Sequence, residues 1–434
     1  MVAAANELDG SCGKMEKHSA LSARMATNWV ILSLCFSSIS YYINHLFFPT
    51  SAFIEIFILV NFVILFLFQR SRMLHLPSRV VTMGVWAMYS VAIITYLLLI
   101  SVLKDSGFDK ELYRLLVIPV MLFSLSLLQL DYIKILRAIY ILAVMAGIYE
   151  IVEIWMLNYV LSGDFTRFFL HSVLVSNDNS QYARDVNFFG LFTFLRPFGL
   201  FGETQKSPFI FAVGAMAHWY VSRSQGRKMG TASWPHFYSL MMLFFAFISD
   251  GRTGFVTMIA VYMALFGRDV IGRFGVYVFM LAVFAAIAVF FNANPVYGNP
   301  LSKDVDAFFN EGPLQIFFGA GFYDPQNAVS ILGMGHEHYF MRILIQMGLL
   351  LTLVFLGFFI ATISSKKELS RWKWANVLML LLMTSHYSIL NVYFVMIAIS
   401  MFMLALANHR SWNILHQRVK ERSPDLKSKR WQES

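Results

Sequence analysis

A chain of 434 residues that is 58% hydrophobic, 16% aromatic and only 14% charged is not built as a soluble protein, in which about a quarter of the residues carry charge. Run after run of roughly 20 apolar residues, each long enough to cross the hydrocarbon core of a bilayer, predicts an all-α polytopic membrane protein. The formal charge of +9 lies in short clusters between apolar runs, where basic residues act as topology signals, and this sets nucleic acid aside as a partner. Of the two cysteines, Cys12 lies in the polar N-terminal tail and Cys35 inside the first apolar run, so neither a disulfide framework nor a thiolate metal site is expected.

In chain order, a polar tail over 1–26 precedes an apolar stretch too long for the h-region of a signal peptide, so that stretch is expected to stay as a helix. Apolar windows predict spans near 27–48, 51–68, 80–103, 112–129, 136–160, 206–222, 235–249, 252–266, 274–292, 338–364, 375–390 and 392–408, about twelve in all. The pairs 235–249/252–266 and 375–390/392–408 are short, and re-entrant or tilted hairpins are the alternative. With both termini cytoplasmic, the inner segments hold roughly 24 of the 34 basic residues and the outer ones roughly 10. The basic tail over 409–434 carries Trp412, Leu415 and Val419 at helical spacing, which suits an anionic inner leaflet and membrane lipids as partners.

This topology leaves two long outer loops, about 161–205 and 293–337, and a tight outer turn at Ser249–Gly254. Connections of that length in a compact body generally bind or catalyse. Arg196, Arg252 and Arg342 lie on the outer side, against the orientation bias. The inverted repeats of many secondary transporters are not visible.

In the first outer loop, Arg196, Gly199, Gly202, Glu203 and Lys206 come just before a helix that opens on Ser207-Pro208. Proline fixes the first turn, and the free N–H groups there favour an anion, with Lys206 beside it; a solvated loop ending in a capped helix is the alternative. At Ser249-Asp250-Gly251-Arg252-Thr253-Gly254 an arginine sits between glycines at the ends of two apolar helices. Guanidinium grips phosphate oxygens as a fork and glycine admits close backbone approach, whereas pairing with Asp250 or snorkelling to headgroups needs neither.

The stretch Gly319–Gly348 runs from a polar loop into an apolar helix, with His336-Glu337-His338 at its entrance and Arg342 four residues after His338, on the same helical face. Histidine is the natural general base near neutral pH. The pattern is not HExxH, because position 340 is Phe, and a solvent-exposed helix start is the alternative reading. Glu150 and Glu153, three apart near the outer end of the fifth span, are charges where charge is costly. They suit hydrogen bonds from sugar hydroxyls, or structural pairing with Arg114 or Arg196. His218, His386, Asn61 and Glu55 suit interhelical hydrogen bonds.

Taken together, RPFGLFGETQ (Arg196–Gln205), SDGRTGF (Ser249–Phe255), FFGAGF (Phe317–Phe322) and HEHYFMRILIQMG (His336–Gly348) resemble, in their order, the O-antigen polymerase/ligase superfamily of bacterial inner-membrane enzymes. The resemblance implies a GT-C-like helical fold and a substrate that is an oligosaccharide linked to undecaprenyl pyrophosphate, used on the periplasmic side. It implies Arg196 and Arg252 as pyrophosphate binders and His336 or His338 as the loop histidine, with Glu203 or a histidine as the general base. No cofactor or metal is implied, and a chain-length regulator is an expected partner. Glu337 stands where ligase-like patterns usually have Asn, and Gly199-Leu-Phe-Gly202-Glu203 is closer to the repeat-unit polymerases. An O-antigen ligase acting on lipid A-core and a lipid-linked oligosaccharide flippase are the rival expectations.

Overall fold

The computed structural model describes residues 24–37, 78–103, 110–128, 130–160, 185–188, 192–195, 197, 199–201, 207–224, 234–249, 252–293, 309, 312–319 and 339–362, with isolated residues between 375 and 404. In chain order these form α1 (24–37), α2 (Ser78–Leu103), α3 (Lys110–Ser126), α4 (Tyr132–Trp155, continued by a π turn at Met156–Val160), β1 (Asp185–Phe188), β2 (Phe192–Leu195), α5 (Ser207–Ser224), α6 (Trp234–Ile248), α7 (Arg252–Ala293), α8 (Pro313–Phe318) and α9 (Tyr339–Thr362). The predicted span 51–68 lies outside the described residues, as do His386, Asn61 and Glu55.

Among the described residues two segments, Val81–Ile100 and Tyr132–Val160, are long and apolar enough to cross a membrane, and shorter apolar helices occupy Phe237–Ile248, Phe255–Phe266 and Ile343–Phe358. Much of this apolar surface is not covered by protein: Met88 is 75% exposed and Val102 76%. Side-chain hydroxyls inside the helices bond back to their own turn, as Ser90 Oγ does to the Trp86 carbonyl at 2.8 Å and Ser33 Oγ to the Val30 carbonyl at 2.8 Å. That arrangement satisfies a polar group without water.

The central helix is α5. Proline at its second position fixes the first turn, and Phe209, Ile210, Phe211, Val213, Met216, Trp219 and Tyr220 are all buried. Such all-round burial marks a core helix, and α4, α6 and α7 pack around it. Small residues set the closeness: a Cβ on Gly214 would press on Ala143 Cβ, and one on Gly147 would enter the Phe245 ring. Trp219 Nε1–H donates to Ser239 Oγ across the α5–α6 contact. His218 lies stacked on Tyr238 with ring centres 4.1 Å apart, and Tyr140 meets it edge-on at 5.3 Å, so it works there as an interhelical packing group. Gly147→Ala is expected to lower stability by about 1–3 kcal/mol through overpacking. Thermal unfolding in detergent measures this, and Phe245→Leu in the same chain should restore part of the loss.

A second group joins α2 to α3 and α9, with α8 against α9. Trp86 meets Phe355 at 5.4 Å and Tyr89 meets Phe358 at 5.3 Å between ring centres. The N-terminus of α4 is capped by Asp131, whose Oδ1 accepts from the Lys134 N–H at 3.1 Å and whose own N–H donates to Thr27 Oγ1 at 3.0 Å. The beginnings of α1 and α4 therefore lie together.

The described residues are overwhelmingly helical, as the all-α reading expects, and the structure adds detail to the connections. An antiparallel hairpin of β1 and β2, Asp185 opposite Leu195 and Phe188 opposite Phe192, lies inside the expected 161–205 loop. The spans expected at 252–266 and 274–292 are two helical runs that meet at Gly272 (φ 73°, ψ 174°), where a single glycine in a region nearly closed to other residues redirects the chain without a longer loop. The span expected at 338–364 is likewise broken at Gly348 (φ 75°, ψ 167°). The expected 293–337 loop contains α8, started by Gly312 and Pro313 and ended at Gly319.

Candidate functional site at the C-terminal end of α4

The buried face of α4 runs Ile135, Leu136, Ile139, Leu142, Ala143, Ala146, Gly147, Glu150, Glu153, a stripe at helical spacing that begins apolar, narrows to small residues and ends in two carboxylates. Glu150 is 0% exposed and Glu153 1%. Burying a carboxylate costs several kcal/mol unless it is well bonded, and the C-terminal end of a helix is the wrong end of the dipole for a negative charge. The compensation comes from outside α4.

Glu153 Oε2 accepts a hydrogen bond from the backbone N–H of Gly199 at 2.9 Å. Glu150 Oε2 accepts from Ser249 Oγ at 2.5 Å, and that hydroxyl also contacts the Phe245 carbonyl at 2.7 Å. Hydrogen bonds to charged groups are worth about 1.5–3 kcal/mol each. Gly199 is at φ +78°, and a Cβ there would fall 2.7 Å from Glu150 Oε1 while pressing on Ser207 Oγ. One glycine is thus fitted against both carboxylates, its N–H to Glu153 and its Cα face to Glu150. Ser207, the first residue of α5, is 1% exposed. The N-terminus of α5, which suits an anion, therefore already has an internal carboxylate near it.

Three elements bring these groups together. The hairpin β1–β2 ends at Leu195, directly before Arg196, and β2 packs on the π turn that follows Glu153. Asn158 Nδ2 caps the Ile154 carbonyl in that turn at 2.8 Å. Ser249 ends α6, its N–H bonded to the Phe245 carbonyl at 3.1 Å, and α7 starts three residues later at Arg252.

Of the residues singled out in the sequence, Glu150 and Glu153 are brought together with Gly199, Ser207 and Ser249. Arg252 opens α7, and Arg342 lies in the part of α9 that precedes Gly348. Arg196, Glu203, Lys206, His336 and His338 lie outside the described residues. The structural parts played by Gly199 and Ser249 were not deduced from sequence, although a glycine three residues after an arginine in a turn and a serine closing a helix were visible signals. A second contact was also missed: Gly319 and Gly348 lie backbone to backbone, so that a Cβ on Gly348 would strike Phe317 and Gly319, and one on Gly319 would strike Gln346 and Met347. The focal stretch thus begins and ends at one point. Comparison of the sequence with protein-family models and with curated proteins finds no match.

Proposed function

We propose that the chain is a glycosyltransferase that polymerises undecaprenyl-pyrophosphate-linked oligosaccharide repeat units into O-antigen or a related surface polysaccharide, on the periplasmic side of the bacterial inner membrane. The body is GT-C-like with about twelve spans and cytoplasmic termini. The observation that carries this reading is the meeting of two motifs on the buried carboxylates of α4: Gly199 belongs to the Arg196–Gln205 segment and Ser249 to the Ser249–Phe255 segment. Motifs 46 and 99 residues from their glutamates have no reason of local structure to share one end of the body. Exposed apolar helix faces and the grouping of helix ends support the membrane topology.

In the reaction, a sugar hydroxyl of the incoming lipid-linked unit attacks the anomeric carbon of the growing chain. The new glycosidic C–O bond forms as the bond to the pyrophosphate oxygen breaks, and undecaprenyl pyrophosphate leaves with the electron pair. Arg196 and Arg252 neutralise that leaving group. Glu203 or one of His336 and His338 takes the hydroxyl proton, and Lys206 and Arg342 add positive charge on the same side. The donor bond is already activated, so no nucleotide is consumed.

The test is to give the purified protein the native lipid-linked unit alone and then with lipid A-core added, and to size the glycans. A ladder from the unit alone supports the polymerase. Product only with lipid A-core makes the protein a ligase, and no product from folded protein returns the flippase. Arg252→Ala is expected to cut polymer formation by roughly 100-fold, and unchanged polymer length in cells with normal protein levels would remove Arg252 from the mechanism.

A further inference from the structure

We propose that Glu150 and Glu153 are positioning residues, which tie the Gly199 turn and the Ser249 turn to one end of α4 and so hold Arg252, three residues beyond Ser249, where it binds the lipid pyrophosphate. This rests on the function proposed above. Gly199 follows Arg196 by three residues and Ser249 precedes Arg252 by three. Three residues of chain reach at most about 10 Å, so the Arg252 backbone stays near its tether. The two tethers are themselves neighbours, since residues three apart on a helix have Cβ atoms about 5–6 Å apart.

The carboxylates are not suited to touch the anion. Like charge would repel it, both groups are buried, and each carries a donor from one of the two turns. Electrostatics alone predicts that neutralising Glu150 strengthens binding of a pyrophosphate. Positioning predicts that the acceptor oxygen matters and the charge does not. Glu150→Gln keeps an oxygen for the Ser249 hydroxyl, Glu150→Ala removes it, and Ser249→Ala removes the donor while leaving the carboxylate in place.

The experiment measures the affinity of the full-length protein in detergent for undecaprenyl pyrophosphate. Glu150→Ala is expected to raise Kd about tenfold, while Glu150→Gln stays within about threefold of wild type. Arg252→Ala is expected to raise Kd at least about tenfold. Adding Glu150→Ala to Arg252→Ala should cost less than about threefold more, because a residue that acts through another loses its effect once that other is gone. A purely structural carboxylate would give additive losses in this cycle, and additivity overturns the proposal. So does a Gln variant as weak as the Ala variant. If Glu150→Ala does not fold, Ser249→Ala carries the same cycle with the same expectation. Wild-type protein that binds no undecaprenyl pyrophosphate, or Arg252→Ala that binds it as wild type does, locates the failure in the proposed function; binding that depends on Arg252 with an additive cycle locates it in the positioning role.

Discussion

Gly199→Ala is expected to abolish polymer formation and to lower stability by about 2–5 kcal/mol. Two separate costs add. A φ of +78° puts any Cβ in conflict with its own backbone, at about 1–2 kcal/mol. The new methyl also lands against Glu150 Oε1 and Ser207 Oγ, and overpacking a closed site costs about 1–3 kcal/mol. The Gly199 N–H then cannot keep its 2.9 Å bond to Glu153 without moving the turn. Thermal unfolding in detergent and glycan sizing in cells read the two effects separately. Ser207→Gly in the same chain removes one of the two obstructing groups and should return part of the stability without restoring activity, because the backbone conflict and the Glu150 contact remain. Full-length polymer from Gly199→Ala at normal protein levels would show that this turn does not position anything the reaction needs.

Among the described residues hydropathy found the long helices, because averaging over a window measures length and apolarity together. The same averaging hides a break made by one residue. Gly348 sits in apolar surroundings, so the window sees a continuous span there, whereas Gly272 lies in the charged stretch GRDVIGR, which already divides two apolar windows. The hairpin was illegible for a different reason: its strands DVNF and FTFL are four residues each, too short for a period to stand out. At the site, Glu150 and Glu153 were visible as charges out of place, and Ser207-Pro208 as a helix start. Their partners were not, because Gly199 and Ser249 lie 46 and 99 residues from them in the chain and a glycine announces neither its φ nor its neighbour. Arg114 and Arg196 were possible partners by charge, and the side chains of both lie outside the described residues; what the structure describes against the carboxylates is a backbone amide and a hydroxyl, donors that every sequence carries in abundance.

Gly348→Ala is expected to be more damaging than Gly272→Ala, although the two glycines have nearly the same backbone angles. Gly272 is at φ 73°, ψ 174° and Gly348 at φ 75°, ψ 167°, a region that is essentially glycine's alone and costs about 1–3 kcal/mol for another residue. The backbone term therefore cancels between them. The surroundings differ: a Cβ on Gly272 meets nothing within 4 Å, while one on Gly348 strikes the Gly319 amide nitrogen and the Phe317 carbonyl. Backbone cannot step aside as the end of a side chain can, so alanine at 348 should cost about 1–3 kcal/mol more than alanine at 272. The functional consequence should separate further. Gly319 and Gly348 bound the stretch that carries His336, His338 and Arg342 in the sequence, and their contact holds its two ends together. Gly272→Ala changes only the bend between the two halves of α7, on the face proposed to be cytoplasmic, and should leave the polymer ladder present in cells. Gly348→Ala should lose the ladder even at a temperature where the protein remains folded. Equal stability losses in unfolding scans, with a ladder retained in both variants, would mean that the contact of the two glycines is only a consequence of the bend in α9 and not the fastening of the histidine-bearing stretch.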